Sequence, residues 1–146
     1  MQTVRQILQN KGKQVWTIAP NASVFAALQL MAEKDVGALV VMENVDLVGV
    51  FSERDYARKF MLHEKSTEEI QVQELMSSPV ITVRSGMSIG ACMAIMTNRH
   101  VRHLPVVEGE KVIGVVSIGD VVKAIIAEQQ QVINELGSYI SGERNE

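Results

Sequence analysis

The spacing of apolar residues changes several times along this chain, and the changes follow the same order in both halves. In the first half, a β-branched segment at 15–18 precedes a helical pattern at 24–32, where apolar residues recur at three and four positions. Two short apolar segments, 38–42 and 47–51, follow on either side of a polar turn. Helical spacing resumes after Ser52. The order predicted for one copy is therefore β-α-β-β-α.

A shift of 65 residues aligns the second half of the chain with the first half without a gap. Residues 15–56 and 80–121 share 13 identities in 42 pairs, and most other pairs exchange one apolar residue for another. The segments "GVFSERD" at 49–55 and "GVVSIGD" at 114–120 form part of this alignment. Chance would give roughly one identity in fifteen to twenty pairs, so the chain contains an internal duplication.

The duplication predicts an α/β (α+β) fold of two β-α-β-β-α repeats, packed sheet to sheet with pseudo-two-fold symmetry. One unit of roughly sixty residues buries its apolar surface poorly alone, so we expect the two copies to share a core. We place the first repeat, with an N-terminal helical segment, at 1–66. A linker turn, the second repeat and a C-terminal helix occupy 67–146. This packing would form an equivalent cleft beside each copy of the Ser-x-x-Asp motif.

The Ser-x-x-Asp motif at the start of each second helix has two interpretations. In the first, Ser52 with Asp55, and Ser117 with Asp120, are capping boxes that satisfy the first amides of a helix. In the second, the free amides and the serine attract a phosphate, while the aspartate accepts two hydroxyl donors from a vicinal diol. A diol, a phosphate and an aliphatic slot together describe the binding site of a ribonucleotide.

The motifs resemble those of the cystathionine β-synthase (CBS) domain family. The resemblance rests on "VRHLPVV" at 101–107 and on the two Gly-x-x-Ser-x-x-Asp segments, and it covers roughly residues 10 to 137. It implies a stand-alone tandem pair, which is a regulatory module and not an enzyme. Such pairs bind AMP, ADP, ATP, NAD or S-adenosylmethionine between the copies. AMP is the ligand that we expect first, and no further cofactor is required.

The resemblance also implies roles for particular residues. Aspartate holds the ribose hydroxyls, the serine contacts ribose or phosphate, the first strand lines the base pocket, and basic residues before the next strand meet the phosphate. The candidate nucleotide-binding residues are Thr17, Ile18, Ser52, Arg54, Asp55, Thr82, Val83, Arg102, His103, Ser117 and Asp120. Copy one has Gly37 and Ala38 where copy two has Arg102 and His103, so unequal sites are expected. The sequence leaves open which cleft Arg102 serves.

Composition narrows the classes of partner. The net charge is -3, which argues against a general electrostatic grip on nucleic acid. No apolar run approaches the roughly 20 residues needed to cross a bilayer, and the first residues lack the apolar core of a signal peptide. We therefore expect a cytoplasmic protein without a membrane partner. Cys92, the single cysteine, lies in an apolar helical pattern and is interpreted as a buried thiol. No combination of residues predicts a metal site or a catalytic centre.

A homodimer is expected because the last helix carries more apolar residues than one small sheet can cover. These residues are Val121, Val122, Ile125, Ile126, Val132, Ile133 and Leu136. A two-fold contact would bury them without open-ended assembly. A sensor would pass nucleotide occupancy to a regulated enzyme or another protein. The alternative is a constitutive dimerisation or scaffolding module whose clefts are vestigial.

Overall fold

The computed structural model describes residues 2–145, with side chains through residue 140, and shows a duplicated α/β arrangement. Its elements in chain order are α1 (Val4–Lys11), β1 (Thr17–Ile18), α2 (Val24–Lys34), β2 (Ala38–Glu43), β3 (Asp46–Ser52), α3 (Glu53–Lys59), a 3₁₀ turn (Phe60–Leu62), α4 (Val72–Leu75), α5 (Ile89–Arg99), β4 (His103–Glu108), β5 (Lys111–Ser117) and α6 (Ile118–Asn145). None of the helices described is both long and apolar enough to span a membrane.

The two hairpins have the same register, which confirms the duplication at the level of hydrogen bonding. Strands β2 and β3 pair antiparallel, as do β4 and β5. The register shifts after Val41 in β2 and after Val106 in β4, which are equivalent positions in the repeat. Helices α2 and α5 begin after Ser23 and Ser88, and each serine side chain accepts from the amide three residues later.

The alignment of 15–18 with 80–83 predicts a strand in the second repeat as well, but 80–83 does not form one, and a proline explains the difference. In the first repeat, β1 pairs parallel to β2, and the amide of Val40 donates to the carbonyl of Trp16 at 3.0 Å. The position equivalent to Val40 is Pro105, which has no N–H to donate. The segment therefore keeps an isolated bridge between Val83 and Val106 and does not form a strand.

Each repeat has its own hydrophobic core, and each core is completed by a helix from elsewhere in the chain. Helix α1 packs in the second core through Val4, Ile7 and Leu8, whereas α4 packs in the first core. The division at 66/67 therefore follows chain order, whereas α1 and α4 each pack on the repeat across that division. Backbone bonds fix both helices: the amide of Val4 donates to a second-repeat carbonyl, and that of Val72 donates to a first-repeat carbonyl.

Two glycines show that α1 and α4 are structural equivalents. A Cβ on Gly114 would lie 2.6 Å from Leu8 Cδ2, and one on Gly49 would lie 2.5 Å from Met76 Sδ. Both strands therefore need glycine where the helix crosses them. The chain from Leu8 to β1 is three residues longer than the chain from Met76 to the equivalent point of the second repeat. The extra residues extend α1 to Lys11.

The sheets also bury a face opposite to the two cores. Val40 and Pro105 are buried, although their neighbours on each side in the strand point into the cores. They pair across the hairpins with Val50 and Val115, which line the clefts described below. The two repeats thus meet through these inner sheet faces in addition to having separate cores.

The C-terminal helix α6 leaves an exposed apolar stripe. The exposed members include Val122, Ile126, Val132, Ile133, Leu136, Tyr139 and Ile140. Two residues that we expected in this stripe have another role: Val121 lies in the second core, and Ile125 packs against it. Val121 and Ile125 are four residues apart, so they share one face of α6, and that face packs on the second repeat.

Candidate functional site

The first cleft lies between β3 and α3 of the first repeat and the start of the second repeat. Its wall combines aliphatic, hydroxyl, carboxylate and cationic groups from both copies. The lining residues are Val50, Ser52, Arg54, Asp55, Arg58, Ser77, Pro79, Val80, Ile81, His100, Val101, Arg102 and His103. The structure therefore brings Arg102 and His103 into the cleft of Asp55, a pairing that the sequence leaves open.

Asp55 forms a capping box and also faces the cavity. Its Oδ2 accepts from the amide of Ser52 at 3.0 Å and from the Ser52 hydroxyl at 2.9 Å, while Ser52 Oγ accepts from the amide of Asp55 at 3.1 Å. Its Oδ1 accepts from the hydroxyl of Ser77 at 2.8 Å and from Lys59 Nζ at 3.1 Å. Capping therefore accounts for the local geometry, but it does not remove the carboxylate from the cleft.

Three arginines surround this first cleft without a carboxylate partner of their own. Arg54, Arg58 and Arg102 all line the cavity, and none of them forms an ion pair within residues 2–140. The positive charge of Arg58, together with slight burial and the charge of Arg102, lowers the pKa of Arg54 below its ordinary value, against the opposing effect of Asp55. A cluster of like charges of this kind is stabilised by an anion.

The second cleft is the pseudo-two-fold equivalent of the first, but its chemistry differs. It is lined by Lys11, Gln14, Trp16, Asp35, Val36, Gly37, Ala38, His103, Val115 and Ser117. The position of Arg102 is taken by Gly37, and that of Arg54 by Gly119. Lys11 therefore supplies the positive charge of this cleft, the imidazole of His103 lies beside it, and Asp35 adds a negative charge.

Asp120 repeats the capping box and also pairs with a lysine of α1. Its Oδ2 accepts from the amide of Ser117 at 2.8 Å and from Lys11 Nζ at 2.6 Å. Partial burial acts to raise the pKa of Asp120, but the hydrogen bonds from Lys11 and Ser117 outweigh it, and the pKa lies below its ordinary value. Unlike Asp55, Asp120 is not part of the cavity wall; Lys11 is.

His103 lies between the two clefts and contributes to the wall of both. A Cβ on Gly37 would lie 3.5 Å from His103 Nε2, an ordinary contact distance, so the imidazole lies against Gly37. Burial, followed by the positive charge of Lys11, lowers the pKa of His103 below its ordinary value. The neutral ring can still donate one hydrogen bond to a ligand in either cleft.

Four predicted base-pocket residues lie outside both clefts. Thr17 and Thr82 are exposed, Ile18 packs against the first core, and Val83 is buried in the second core. The clefts are lined instead by the residues just before them in each segment, Trp16 and Ile81. Ile18 and Val83 do not reach the clefts because each lies two residues further along its segment, where the side chain packs on the core of its own repeat.

Sequence reasoning missed Ser77 and Lys11, which contact the two motif aspartates. Both precede the region that aligns without a gap, so the repeat gives no signal for them. A polar residue at the end of the helix before each first strand could have suggested them. Across the described residues, no group of three histidine, cysteine or acidic side chains is placed to hold a metal ion.

Comparison with known families identifies the duplicated unit. The CBS-domain family profile matches residues 4–62 and 72–127, which is most of the chain. The chain belongs to the CBS domain family. Its pair of CBS domains is thus of the kind that serves as a regulatory module, and the Ser-x-x-Asp motif of each domain lies at a cleft between the two.

Relatives of this CBS pair come from distant organisms. The chain is 34% identical over 150 residues to the mitochondrial CBS domain-containing protein CBSX3 of Arabidopsis thaliana, covering 96% of this chain and 72% of the relative. A solved structure of a protein with CBS domains from Burkholderia ambifaria is 46% identical, with a TM-score of 0.84, and the match covers 88% of this chain and 96% of that one. The CBS domain pair of protein MJ0100, solved in complex with 5'-methylthioadenosine and S-adenosylmethionine, shares the fold at 22% identity, with a TM-score of 0.77, over 88% of this chain and 98% of that one.

Proposed function

We propose that this chain is a cytosolic sensor module that binds an adenine nucleotide, AMP first among them, in the first cleft. The observation that carries the proposal is one cavity that holds Asp55 together with Arg54, Arg58 and Arg102. A carboxylate alone repels a phosphate, and arginines alone do not select a sugar. Their combination fits a ligand that carries both a diol and a phosphate.

The ribose would bind at Asp55. Two of the four donors that hold this carboxylate are hydroxyls of Ser52 and Ser77, which rotate freely about their C–O bonds. Sugar hydroxyls can therefore replace them as donors without an ion pair being broken. Lys59 approaches from outside the cavity, since it also donates to the carbonyl of Leu75 at 3.0 Å. Lys59 would keep its ion pair with Asp55 while the diol binds.

The phosphate would bind the cationic part of the cleft wall, and the base would bind the aliphatic part. Guanidinium groups bind phosphate through charge-assisted and often paired hydrogen bonds, and the first cleft supplies three of them. The aliphatic residues Val50, Val80, Ile81 and Val101 supply the apolar wall for a flat base. The adenosyl compounds bound by the MJ0100 pair support the choice of an adenine base. ADP, ATP, NAD and S-adenosylmethionine remain alternatives within the same class.

Signalling would require a state in which the two repeats hold the ligand more closely. A ligand shifts a protein between two states by its difference in affinity for them. Arg54 and Arg58 belong to the first repeat and Arg102 to the second, so an anion between them would draw the repeats together. We propose a homodimer formed through the exposed stripe of α6, with a regulated enzyme or another protein as the receiver.

Titration calorimetry with AMP and 2'-deoxy-AMP tests the ribose assignment. We expect the deoxy compound to bind more weakly by about 1 to 3 kcal/mol, because Asp55 loses a hydroxyl donor. The Asp55→Ala variant should weaken AMP binding and abolish the difference between the two compounds, whereas Asp46→Ala, an exposed change at the start of β3, should alter neither. Equal affinity of the parent for both compounds would remove Asp55 from the ribose.

A constitutive scaffold is the second candidate. It is favoured by the complete capping boxes, which explain both motifs without a ligand, and by the exposed stripe of α6. Thermal melting separates the two functions. A nucleotide at a hundredfold excess over its Kd adds about 2.7 kcal/mol to the free energy of unfolding, whereas a scaffold with vestigial clefts gains nothing.

A further inference from the structure

The two motif aspartates receive the same kind of contact from different chemical groups. In the first cleft, Ser77 donates its amide to the carbonyl of Val50 at 2.9 Å and its hydroxyl to Asp55 at 2.8 Å. One residue of the linker thus ties together the end of a strand and the carboxylate beside it. Both donors of Ser77 are neutral.

In the second cleft, one lysine makes both of these contacts. Lys11 Nζ donates to the carbonyl of Val115 at 2.9 Å and to Asp120 Oδ2 at 2.6 Å. Val115 and Asp120 are the repeat equivalents of Val50 and Asp55. The three additional residues after Leu8 bring the end of α1 to this point, so the lysine stands where the serine would be.

We propose that Lys11 closes the second cleft to ligands that carry a vicinal diol. The proposal rests on the proposed function, in which the motif aspartate holds the ribose. Lys11 lines the cavity and its ammonium group holds Asp120 Oδ2, so a diol that uses both carboxylate oxygens must displace the ammonium group from Oδ2. Asp55 also pairs with an ammonium group, that of Lys59, but Asp55 itself lines the first cleft and Lys59 does not.

The difference between an ammonium and a hydroxyl determines the size of the effect. An ammonium group donates and cannot accept, so it cannot turn to accommodate an incoming hydroxyl as Ser77 can. Its bond to a carboxylate is charge-assisted and about twice as strong as a neutral one. Replacing it with a sugar hydroxyl should therefore weaken diol binding at the second cleft by about ten- to a hundredfold relative to a cleft without the lysine.

The test is titration calorimetry with adenosine on the full chain and on matched lysine variants. Adenosine carries the diol but lacks the phosphate, which Asp35 and Asp120 would repel once the ammonium group is gone. Lys11→Met removes the ammonium and keeps an apolar side chain of similar length, and Lys13→Met removes an exposed lysine two residues away and serves as the control. We expect the parent and the control to bind one adenosine per chain, and Lys11→Met to bind a second. Lys11→Ala makes the same test if the methionine variant does not fold.

A double variant assigns the gained site. Lys11→Met with Asp120→Asn should lose the second adenosine, because the uncovered carboxylate is then absent. If Lys11→Met gains no Asp120-dependent binding, or binds adenosine less well than the parent, the inference is overturned. A parent that binds neither AMP nor adenosine would refute the proposed function of the first cleft, while an Asp120-dependent gain in Lys11→Met would still support the role of Lys11.

Discussion

Removal of the Arg102 side chain should weaken AMP binding while it spares adenosine. Arg102 is the cation that the second repeat contributes to the first cleft beside Arg54 and Arg58. A charge-assisted contact to phosphate contributes about 1.5 to 3 kcal/mol. Arg102→Ala also relieves part of the repulsion that lowers the pKa of Arg54, which offsets some of the loss. We therefore expect the lower end of that range, about tenfold in Kd.

Paired titrations with AMP and adenosine make this test specific to the phosphate. Adenosine has the same base and diol but no phosphate, so its Kd should be the same in the parent and in Arg102→Ala. Arg84→Ala removes an exposed arginine outside the cleft and controls for the change in net charge. An equal loss for AMP and adenosine would mean that Arg102 acts through the fold. An unchanged Kd for AMP would remove Arg102 from the phosphate site.

Three further predictions concern assembly and stability. Light scattering should show a dimer at micromolar concentration, and Ile133→Lys should give a monomer because it charges the apolar stripe of α6; a monomeric parent would contradict this. The pKa of His103 is lower in the folded protein than in the unfolded chain, so the unfolded chain binds a proton first as the pH falls. The free energy of unfolding should therefore decrease from about pH 7 to pH 5. His103→Asn should flatten that fall in urea titrations, and an equally steep fall would exclude His103 as its source. Gly49→Ala should cost about 1 to 3 kcal/mol, since its Cβ would meet the linker methionine at 2.5 Å, whereas Gly86→Ala, with open space around it, should cost far less; equal losses would refute the close approach.

The sequence predicts those parts of the fold that depend on local spacing. The two hairpins and the helices α2 and α5 follow from periodicity and from the duplication. The failure at 80–83 has a local cause, because Pro105 removes the N–H that its equivalent, Val40, donates to Trp16. Comparison of Val40 with Pro105 in the aligned repeats would have indicated that the second repeat lacks this strand.

The placement of α1 and of the cleft residues depends on contacts that local spacing cannot reveal. Lys11 and Asp120 are 109 residues apart in the chain, and Ser77 and Asp55 are 22 apart. Neither Lys11 nor Ser77 lies in the region that repeats without a gap. The assignment of Arg102 to the cleft of Asp55 likewise follows from the packing of one repeat on the other. Duplication thus predicts two equivalent motifs, and the segments around them make the clefts different.

The central claim, that this CBS pair binds an adenine nucleotide, is tested most directly by mass spectrometry of the small molecules that purified protein releases on denaturation. The account predicts an adenosine-containing compound at no more than one equivalent per chain from the parent, and its loss from Asp55→Ala prepared in the same way. A parent that releases no such compound, and whose melting temperature does not rise with millimolar AMP, would contradict the account.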